Sequence, residues 1–230
     1  MEFCELIATV MLKKDIYFED CGYIIGKNIN KSMLLDKDLK EIHPKKQYKN
    51  YVFNSFYPIE RDKFYKKDRL YIFNIRGLSK EFIDKIETCL CNLESNDFNV
   101  ISISKKEIKQ RYIKELYTQT PLIITVDDKP WLQKDGGDLD LFKQRLEDNL
   151  EKKYKRFFNE DIDVKGKFIK SIEFKNRKPM HYNYKNGIKL LANKVSIQIE
   201  DNEEAQKVAF LARAIGLGEK NSSIGAGFCK

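Results

Sequence analysis

Strand-like and helix-like runs alternate along the chain in an order that occurs twice, and this order limits the folds that the chain can adopt. Strand-like runs are rich in β-branched and aromatic residues, whereas helix-like runs have apolar residues three and four positions apart. A serine at position 79 is a suitable cap for the second helix. The runs of the first half follow the order β-α-β-β-α-β: residues 5–12, 18–39, 51–57, 70–75, 79–93 and 100–108.

The second half repeats this order and ends in a glycine-rich tail. Its runs are a strand, a long helix, two strands, a helix capped by Asp201 or Asn202, and a candidate edge or closing strand: residues 121–126, 139–157, 168–174, 189–199, 203–215 and 223–228. Each half therefore has the pattern of a split β-α-β unit. The sequence predicts an α+β protein with two tandem ferredoxin-like (RRM-like) domains and antiparallel sheets, divided into residues 1–118 and 119–230.

The charge of the chain favours a polyanionic partner. Forty-three Lys and Arg residues against 35 Asp and Glu residues give a formal net charge of +8, which suits nucleic acid or an anionic membrane surface. A lysine-rich composition also arises in proteins encoded by A+T-rich DNA, so charge alone leaves both explanations open. No apolar run reaches the roughly 20 residues that cross a bilayer, and no membrane partner is expected.

The five cysteines are an odd number with no secretory signal ahead of them, which predicts a reduced, cytoplasmic protein without disulfides. Cys89 and Cys91 are separated by one residue, and no second cysteine pair or histidine cluster completes a zinc site. We therefore expect neither a structural metal nor a cofactor.

A glycine-rich segment, residues 216–228, follows the last helix. Glycine permits positive φ and lets backbone N–H groups come close to a phosphate, while Lys220, Ser222 and Ser223 add charge and donors. The alternative is a plain helix cap followed by a bulged strand. Because the segment follows a helix and does not open one, it is not a dinucleotide-binding or P-loop motif.

This segment resembles the C-terminal glycine-rich loop of the CRISPR-associated RNA-processing endoribonucleases, which belong to the repeat-associated mysterious protein superfamily. The similarity lies in GLG at residues 216–218 and SSIGAGF at residues 222–228. Ala226 departs from the family, which often has Phe between the glycines, and the aromatic residue is displaced to position 228. Residues 146–158, 189–199 and 51–56 also resemble family elements.

The resemblance implies two ferredoxin-like domains that hold RNA along a basic surface and cut CRISPR repeat RNA without a metal. Such cleavage proceeds by attack of a ribose 2′-hydroxyl on the adjacent phosphate and leaves a 2′,3′-cyclic phosphate and a 5′-hydroxyl. It requires a base, an acid and a group that stabilises charge on the phosphate.

His43 lies where family members often carry their catalytic histidine, between the first helix and the following strand, and the resemblance implies that it acts as general base or acid. Lys49 could neutralise the scissile phosphate, and Tyr23 could supply a hydroxyl group. Before Pro44, His43 could equally be an exposed loop residue. The predicted RNA-binding residues are Lys45, Lys46, Gly216, Gly218, Lys220, Ser222, Ser223, Gly225 and Gly227.

His181 is the reserve candidate, and it lies in a stretch rich in Lys and Tyr. Tyr182 and Tyr184 beside it could stack on bases or could simply pack across strands. Further rows that could contact the RNA backbone, or be ordinary solvated faces, are Lys105, Lys106, Lys109 and Arg111, and Lys165, Lys167 and Lys170.

Two other functions remain open at this level. A structural subunit of a CRISPR effector complex would bind guide RNA through the same fold without cutting it. A generic basic RNA-binding module is the third candidate, although the aromatic recognition strand of such modules is not evident. The predicted partner is CRISPR repeat RNA, and effector-complex subunits and a second copy of the chain are further candidates.

Overall fold

A computed structural model describes residues 1–42, 48–133 and 137–230 of the chain. The strands are β1 (Glu2–Leu12), β2 (Ile16–Tyr17), β3 (Tyr51–Phe53), β4 (Phe64–Tyr65), β5 (Leu70–Gly77), β6 (Phe98–Lys109), β7 (Glu115–Tyr117), β8 (Thr125–Val126), β9 (Lys129–Pro130), β10 (Ile169–Phe174), β11 (Met180–Asn183), β12 (Lys189–Ala192) and β13 (Val195–Ile199). The helices are α1 (Cys21–Ser32), α2 (Lys37–Ile42), α3 (Lys80–Cys91), α4 (Leu139–Phe158), α5 (Glu203–Ile215) and α6 (Asn221–Ile224), with 3-10 turns at Met33–Leu35 and Lys185–Gly187. None of the described helices combines the length and the apolar composition needed to span a bilayer.

The first half forms a four-stranded antiparallel sheet in the order β3-β5-β1-β6. This is the strand order of a ferredoxin-like unit, and α1 and α3 supply its helices. Ser79 caps α3 as predicted, because its hydroxyl oxygen accepts a hydrogen bond from the Phe82 N–H at 3.2 Å. The inward side chains of this sheet and the helices form one contiguous apolar core.

The second half repeats the arrangement with a three-stranded sheet in the order β10-β13-β7, and α4 and α5 contribute to its core. The C-terminal residue takes the place of a fourth strand beside β7, since Lys230 and Tyr117 exchange two backbone hydrogen bonds of 2.9 Å. The predicted α+β fold with two ferredoxin-like units is confirmed. Strand β7 (Glu115–Tyr117) belongs to the second sheet, so the second unit begins a few residues before the predicted division at residue 118. The exact domain boundary stays a prediction.

Two predicted elements of the first and middle parts are shorter than expected. The helix predicted over residues 18–39 breaks at Asp36, whose backbone is extended and whose side chain accepts a hydrogen bond from the Leu39 N–H at 2.9 Å. The strand predicted over residues 121–126 is interrupted, because Leu122 and Ile123 form isolated bridges to Asn193 and Glu219 and only Thr125–Val126 forms a strand, β8.

Two predicted strands near the C-terminus also differ from the structure. The strand predicted over residues 189–199 is divided into β12 and β13 at Asn193. The backbone of Asn193 pairs with that of Leu122, and its side-chain amide donates to the Trp131 carbonyl at 3.0 Å. The closing strand predicted over residues 223–228 is wrong. That stretch contains the end of α6 and two turns at positive φ, and only Cys229 reaches a strand-like bridge.

A buried arginine joins the first sheet to the end of the chain. The Arg76 guanidinium lies 2.6 Å from a Glu5 carboxylate oxygen, and both side chains are almost completely buried. It also donates to the Cys229 carbonyl at 2.6 Å and lies 4.1 Å from the centre of the Phe228 ring. Burial raises the pKa of Glu5, but the Arg76 charge and the hydrogen bonds outweigh it, and the pKa is below its ordinary value. Each charge depends on the other, because an unpaired charge is costly in the interior.

Replacing Arg76 by Leu tests this connection. We expect the free energy of unfolding to fall by about 3 kcal/mol or more, since the buried Glu5 carboxylate would lose its buried cationic partner. Urea denaturation measures the change. The matched control is Arg69→Leu, which removes an exposed pair with Glu60 and should cost less than about 1 kcal/mol. Equal losses in the two variants would contradict the connecting role of Arg76.

Candidate nucleic-acid interface

The glycine-rich segment, residues 216–228, packs between the two ferredoxin-like units. Two glycines of α1 permit this contact, because a Cβ atom at Gly22 would overlap the carbonyl oxygen of Ile224 and one at Gly26 would overlap that of Ser223. On the opposite side, the Tyr51 hydroxyl donates to the Ser222 carbonyl at 3.0 Å. Gly22 and Gly26 are weak positions for a helix, and their role here is close backbone packing.

The glycines of the segment itself are buried and serve the same packing. Gly225 and Gly227 have φ of 69° and 70°, and a Cβ atom on either would overlap a backbone carbonyl oxygen, that of Phe53 or Leu217. Their N–H groups donate within the protein at 3.0 Å, to Asn221 and Pro121 respectively. The predicted contacts between RNA and Gly216, Gly218, Gly225 and Gly227 stay predictions, and the structure assigns these glycines a packing role.

Solvent reaches the segment at Glu219 and at its tip, residues 220–223. Lys220 is exposed and has a left-handed backbone with φ of 59°, while Ser222 and Ser223 are half-buried. The glycine-permitted turns on both sides hold this short stretch at the surface. The tip therefore presents one ammonium group and two hydroxyl groups to a ligand.

A buried lysine of α4 supports the tip from below. The Lys153 Nζ atom donates to the carbonyl oxygens of Gly216 and Gly218 and to Oδ1 of Asn221, each at 2.8 Å. The Asn221 amide group in turn donates to the carbonyls of Leu217 and Ala226, at 2.9 and 2.7 Å. This network connects the start of the segment to its end and fixes the position of the tip.

Burial lowers the pKa of Lys153 to about 7, and Cys229 and Glu219 nearby raise it by less. Three oxygen acceptors around Nζ match the three donors of an ammonium group. The hydrogen bonds therefore favour the charged form of Lys153, whereas desolvation favours the neutral form. Lys153 is not among the predicted site residues, because lysine side chains are seldom buried. Its spacing was a signal, since it lies seven residues after Leu146 and three after Leu150, both on the buried face.

A cavity of about 220 Å³ opens beside the tip. Three lysines line it: Lys49, Lys153 and Lys220. Lys49 is half-buried, and burial lowers its pKa. The remaining lining residues are Tyr48, Ile215, Glu219, Asn221, Ser222 and Ser223. An anion entering this cavity would meet several cationic and hydroxyl groups together.

Tyr23 lies in a second cavity of about 260 Å³, which Ser223 also lines. The structure thus places Tyr23 and Lys49 near the same tip but in different cavities. His43, Lys45 and Lys46 lie outside the described residues. A larger cavity of about 830 Å³, next to Leu35 and α3, contains none of the predicted site residues.

The other sequence candidates are largely engaged in protein contacts. His181 Nε2 lies 2.6 Å from Glu19 Oε2, and Tyr182 is buried with its hydroxyl donating to the Pro121 carbonyl at 2.6 Å. The ion pairs of the lysine rows are Lys105 with Asp84 and Glu87, Lys106 with Glu5, Lys165 with Asp148, and Lys167 with Asp163. Within the part of the chain that the structure describes, no group of three or more His, Cys, Asp or Glu side chains is placed to hold a metal ion.

Lys153→Met tests the buried lysine through the pH dependence of stability. Because the folded pKa lies below that of an unfolded lysine, the unfolded chain binds more protons between about pH 7 and pH 10. The free energy of unfolding of the original protein, relative to that of the variant, should therefore rise across this range, by up to about 1.4 kcal/mol per pH unit. Urea titrations at several pH values measure it. Parallel pH curves for the two proteins would show that Lys153 keeps its proton.

The chain is similar to proteins of one family. The family model described as "CRISPR associated protein Cas6, C-terminal" matches residues 103–230. A curated relative, "CRISPR-associated endoribonuclease Cas6 2" of Methanocaldococcus jannaschii, is 29% identical over 231 aligned residues that cover 94% of each chain.

Solved structures agree with this assignment at the level of the fold. One described as "CRISPR associated protein Cas6" has a TM-score of 0.75 at 20% identity, and one described as "An RAMP protein binding different RNA substrates" has 0.72 at 17%. A third, from a Cas6-related gene of Pyrococcus furiosus, has 0.69 at 17% identity. Each comparison covers 99% of this chain and 98% of the other. The chain belongs to the CRISPR-associated protein Cas6 family.

Proposed function

We propose that this chain is an endoribonuclease that cuts CRISPR precursor RNA within its repeats. Membership of the Cas6 family and similarity to a relative named as an endoribonuclease support this function. The observation that carries it is the cavity beside the tip of the glycine-rich segment, where Lys49 and Lys220 lie together with Ser222 and Ser223. Clustered cations and hydroxyl donors are suited to the phosphate backbone of RNA.

The repeat RNA crosses the tip of the glycine-rich segment in this proposal. Lys220, Ser222 and Ser223 contact the phosphates from one side and Lys49 contacts them from the other. Lys45 and Lys46, which precede Lys49 in sequence, are further proposed phosphate contacts. Lys153 acts indirectly, because its hydrogen bonds hold the backbone of the segment in place.

The cleavage step needs no metal in this proposal. A ribose 2′-hydroxyl gives up its proton and attacks the adjacent phosphorus, and the bond to the 5′ oxygen of the next nucleotide breaks. The products are a 2′,3′-cyclic phosphate and a 5′-hydroxyl, after the leaving oxygen has gained a proton. His43 transfers one of these protons, and Tyr23, close to Ser223 on the other side of the tip, is the candidate for the second.

Lys49 stabilises the pentavalent phosphate. Half-burial lowers its pKa in the free protein, because a partly desolvated ammonium group lacks water around it. A phosphate entering the cavity supplies a negative partner that favours the charged form. The group would then be most strongly charged when the substrate is in place, which is when charge develops on the phosphate oxygens.

Cleavage of a labelled cognate repeat RNA in EDTA tests this function. The unaltered protein should cut, and His43→Ala should slow cutting by about 10²- to 10⁴-fold, the usual contribution of a proton-transferring side chain. A 2′-deoxy nucleotide at the cut position should abolish cutting while binding persists. His181→Ala is the matched comparison, and it should cut at the rate of the unaltered protein.

The outcomes separate the alternatives. Loss of cutting in His181→Ala but not in His43→Ala would show that His181, and not His43, transfers the proton. Tight binding of the repeat with no cutting by the unaltered protein would contradict the enzyme and indicate an RNA-binding subunit. Cutting that stops in EDTA and returns with added Mg²⁺ would contradict the metal-independent mechanism.

A further inference from the structure

Tyr48, the residue before Lys49, lines the cavity beside the tip of the glycine-rich segment. Its side chain is 41% exposed, and it borders the same volume of about 220 Å³ as Lys49 and Lys220. Tyr48 is not among the predicted site residues, and the proposed cleavage step gives it no role. The cavity therefore combines an aromatic ring with cationic groups.

The ring of Tyr48 has a surface that a ligand can reach. Tyr51, three residues later, is buried and stacks on Phe82 with ring centres 5.2 Å apart. Among the residues that the structure describes, no aromatic ring or cation packs on Tyr48 in this way, and its side chain stays open to solvent. An open aromatic ring beside cationic groups is suited to stacking on an unpaired RNA base.

Helix α4 holds this ring in place. The buried Asn149 donates its side-chain amide to the Tyr48 hydroxyl oxygen through a long hydrogen bond of 3.5 Å. Asn149 lies four residues before Lys153, so the two side chains are one turn apart on the same face of the helix. Lys153 binds the backbone of the glycine-rich segment. One helix face therefore positions both the tip and the tyrosine ring.

The hydroxyl group of Tyr48 stays neutral. Burial raises its pKa, the charge of Glu219 raises it further, and the hydrogen bond from Asn149 lowers it by less. The ring thus adds no negative charge where a phosphate would enter. The cavity has a cationic part, with Lys49 and Lys220, and a neutral aromatic part. A nucleotide has the same two parts, an anionic phosphate and a flat base.

We infer that the Tyr48 ring stacks on the base of one unpaired RNA nucleotide, whose phosphate lies between Lys49 and Lys220. Every base has a flat face, so stacking holds the nucleotide without selecting its sequence. The inference rests on the proposed function, since it assumes that RNA enters the cavity beside the tip. It adds a base contact to a site that otherwise contacts only phosphates.

Binding of repeat RNA that lacks single bases tests this contact. The probe is the cognate repeat RNA, protected by the 2′-deoxy nucleotide at the cut position, or unmodified if the protein does not cut. An abasic nucleotide replaces each unpaired nucleotide in turn, which removes the base and keeps the phosphate. Fluorescence anisotropy with the full chain should show at least one position where this change weakens binding by about tenfold.

Three variants relate this loss to the ring. Tyr48→Leu should weaken binding of the intact RNA by about tenfold, and removing the base at the sensitive position should then have no further effect. Tyr48→Phe keeps the ring and should restore the sensitivity to the missing base. Tyr112→Leu, at an exposed tyrosine that does not line this cavity, is the matched control and should bind like the unaltered protein.

Three results would overturn the inference. Losses from Tyr48→Leu and from the missing base that multiply at every position would show that the ring and the bases act independently. Equal binding of intact RNA by Tyr48→Leu and the unaltered protein would show that the ring makes no contact. An equal loss in Tyr48→Phe and Tyr48→Leu would assign the contact to the hydroxyl group.

Cutting of unmodified repeat RNA by the same preparations separates the two proposals. A protein that cuts, but in which Tyr48→Leu and the missing base act independently, would keep the proposed function and lose the stacking contact. A protein that binds without cutting, and in which the two changes do not add, would support the stacking contact and contradict the enzyme. Absence of binding to the repeat would contradict both.

Discussion

The structure depends on a contact between backbones that only glycine allows. The glycine-rich segment, residues 216–228, approaches α1 so closely that the carbonyls of Ser223 and Ile224 occupy the space of missing side chains at Gly26 and Gly22. The same segment packs on β3 through Gly225. Because the segment contacts elements of the first unit while belonging to the second, this packing sets the position of everything that borders the tip.

Two buried cations extend the effect of this packing. Lys153 binds the carbonyls on the inner side of the segment, and Arg76 binds the carbonyl of Cys229 just after it. Both side chains use their hydrogen bonds within the protein, whereas Lys49 and Lys220 border a cavity that a ligand can enter. The cations thus have two separate roles, support and recognition. Helix α4 therefore has both functions: its apolar residues pack in the core of the second unit, and its Lys153 supports the glycine-rich segment.

Local patterns were enough to predict the parts of the fold that depend on neighbouring residues. The cap at Ser79 and the long helix α4 follow from local residue types and spacing, and each is present. Of the two predicted caps for the last helix, Asp201 and Asn202, the structure has Asn202. The predicted strand at residues 223–228 was wrong because this stretch contains the end of α6 and two turns at positive φ. The turns are held by a distant residue, Thr120, whose hydroxyl group donates to the Gly225 carbonyl and accepts from the Phe228 N–H. The accessible positions of Lys220, Ser222 and Ser223 are compatible with the predicted RNA contacts, which stay predictions, whereas the burial of the glycines could not be predicted from a local pattern. The spacing of Lys153 is that of the buried face of α4, but lysine is seldom buried, and no local pattern shows which carbonyls it binds.

The central claim is that the glycines build the segment and that its tip, with the neighbouring lysine, meets the RNA. Amide hydrogen exchange with and without repeat RNA tests this most directly. In the free protein, the amides of Gly225, Gly227 and Phe228 in the stretch 225–228 should already exchange slowly, because they are buried and hydrogen-bonded. Bound RNA should slow exchange at residues 48–49 and 220–223 and leave residues 225–228 unchanged. Fast exchange at residues 225–228 that RNA then suppresses would contradict the account, because it would show that the glycine backbone itself closes on the ligand.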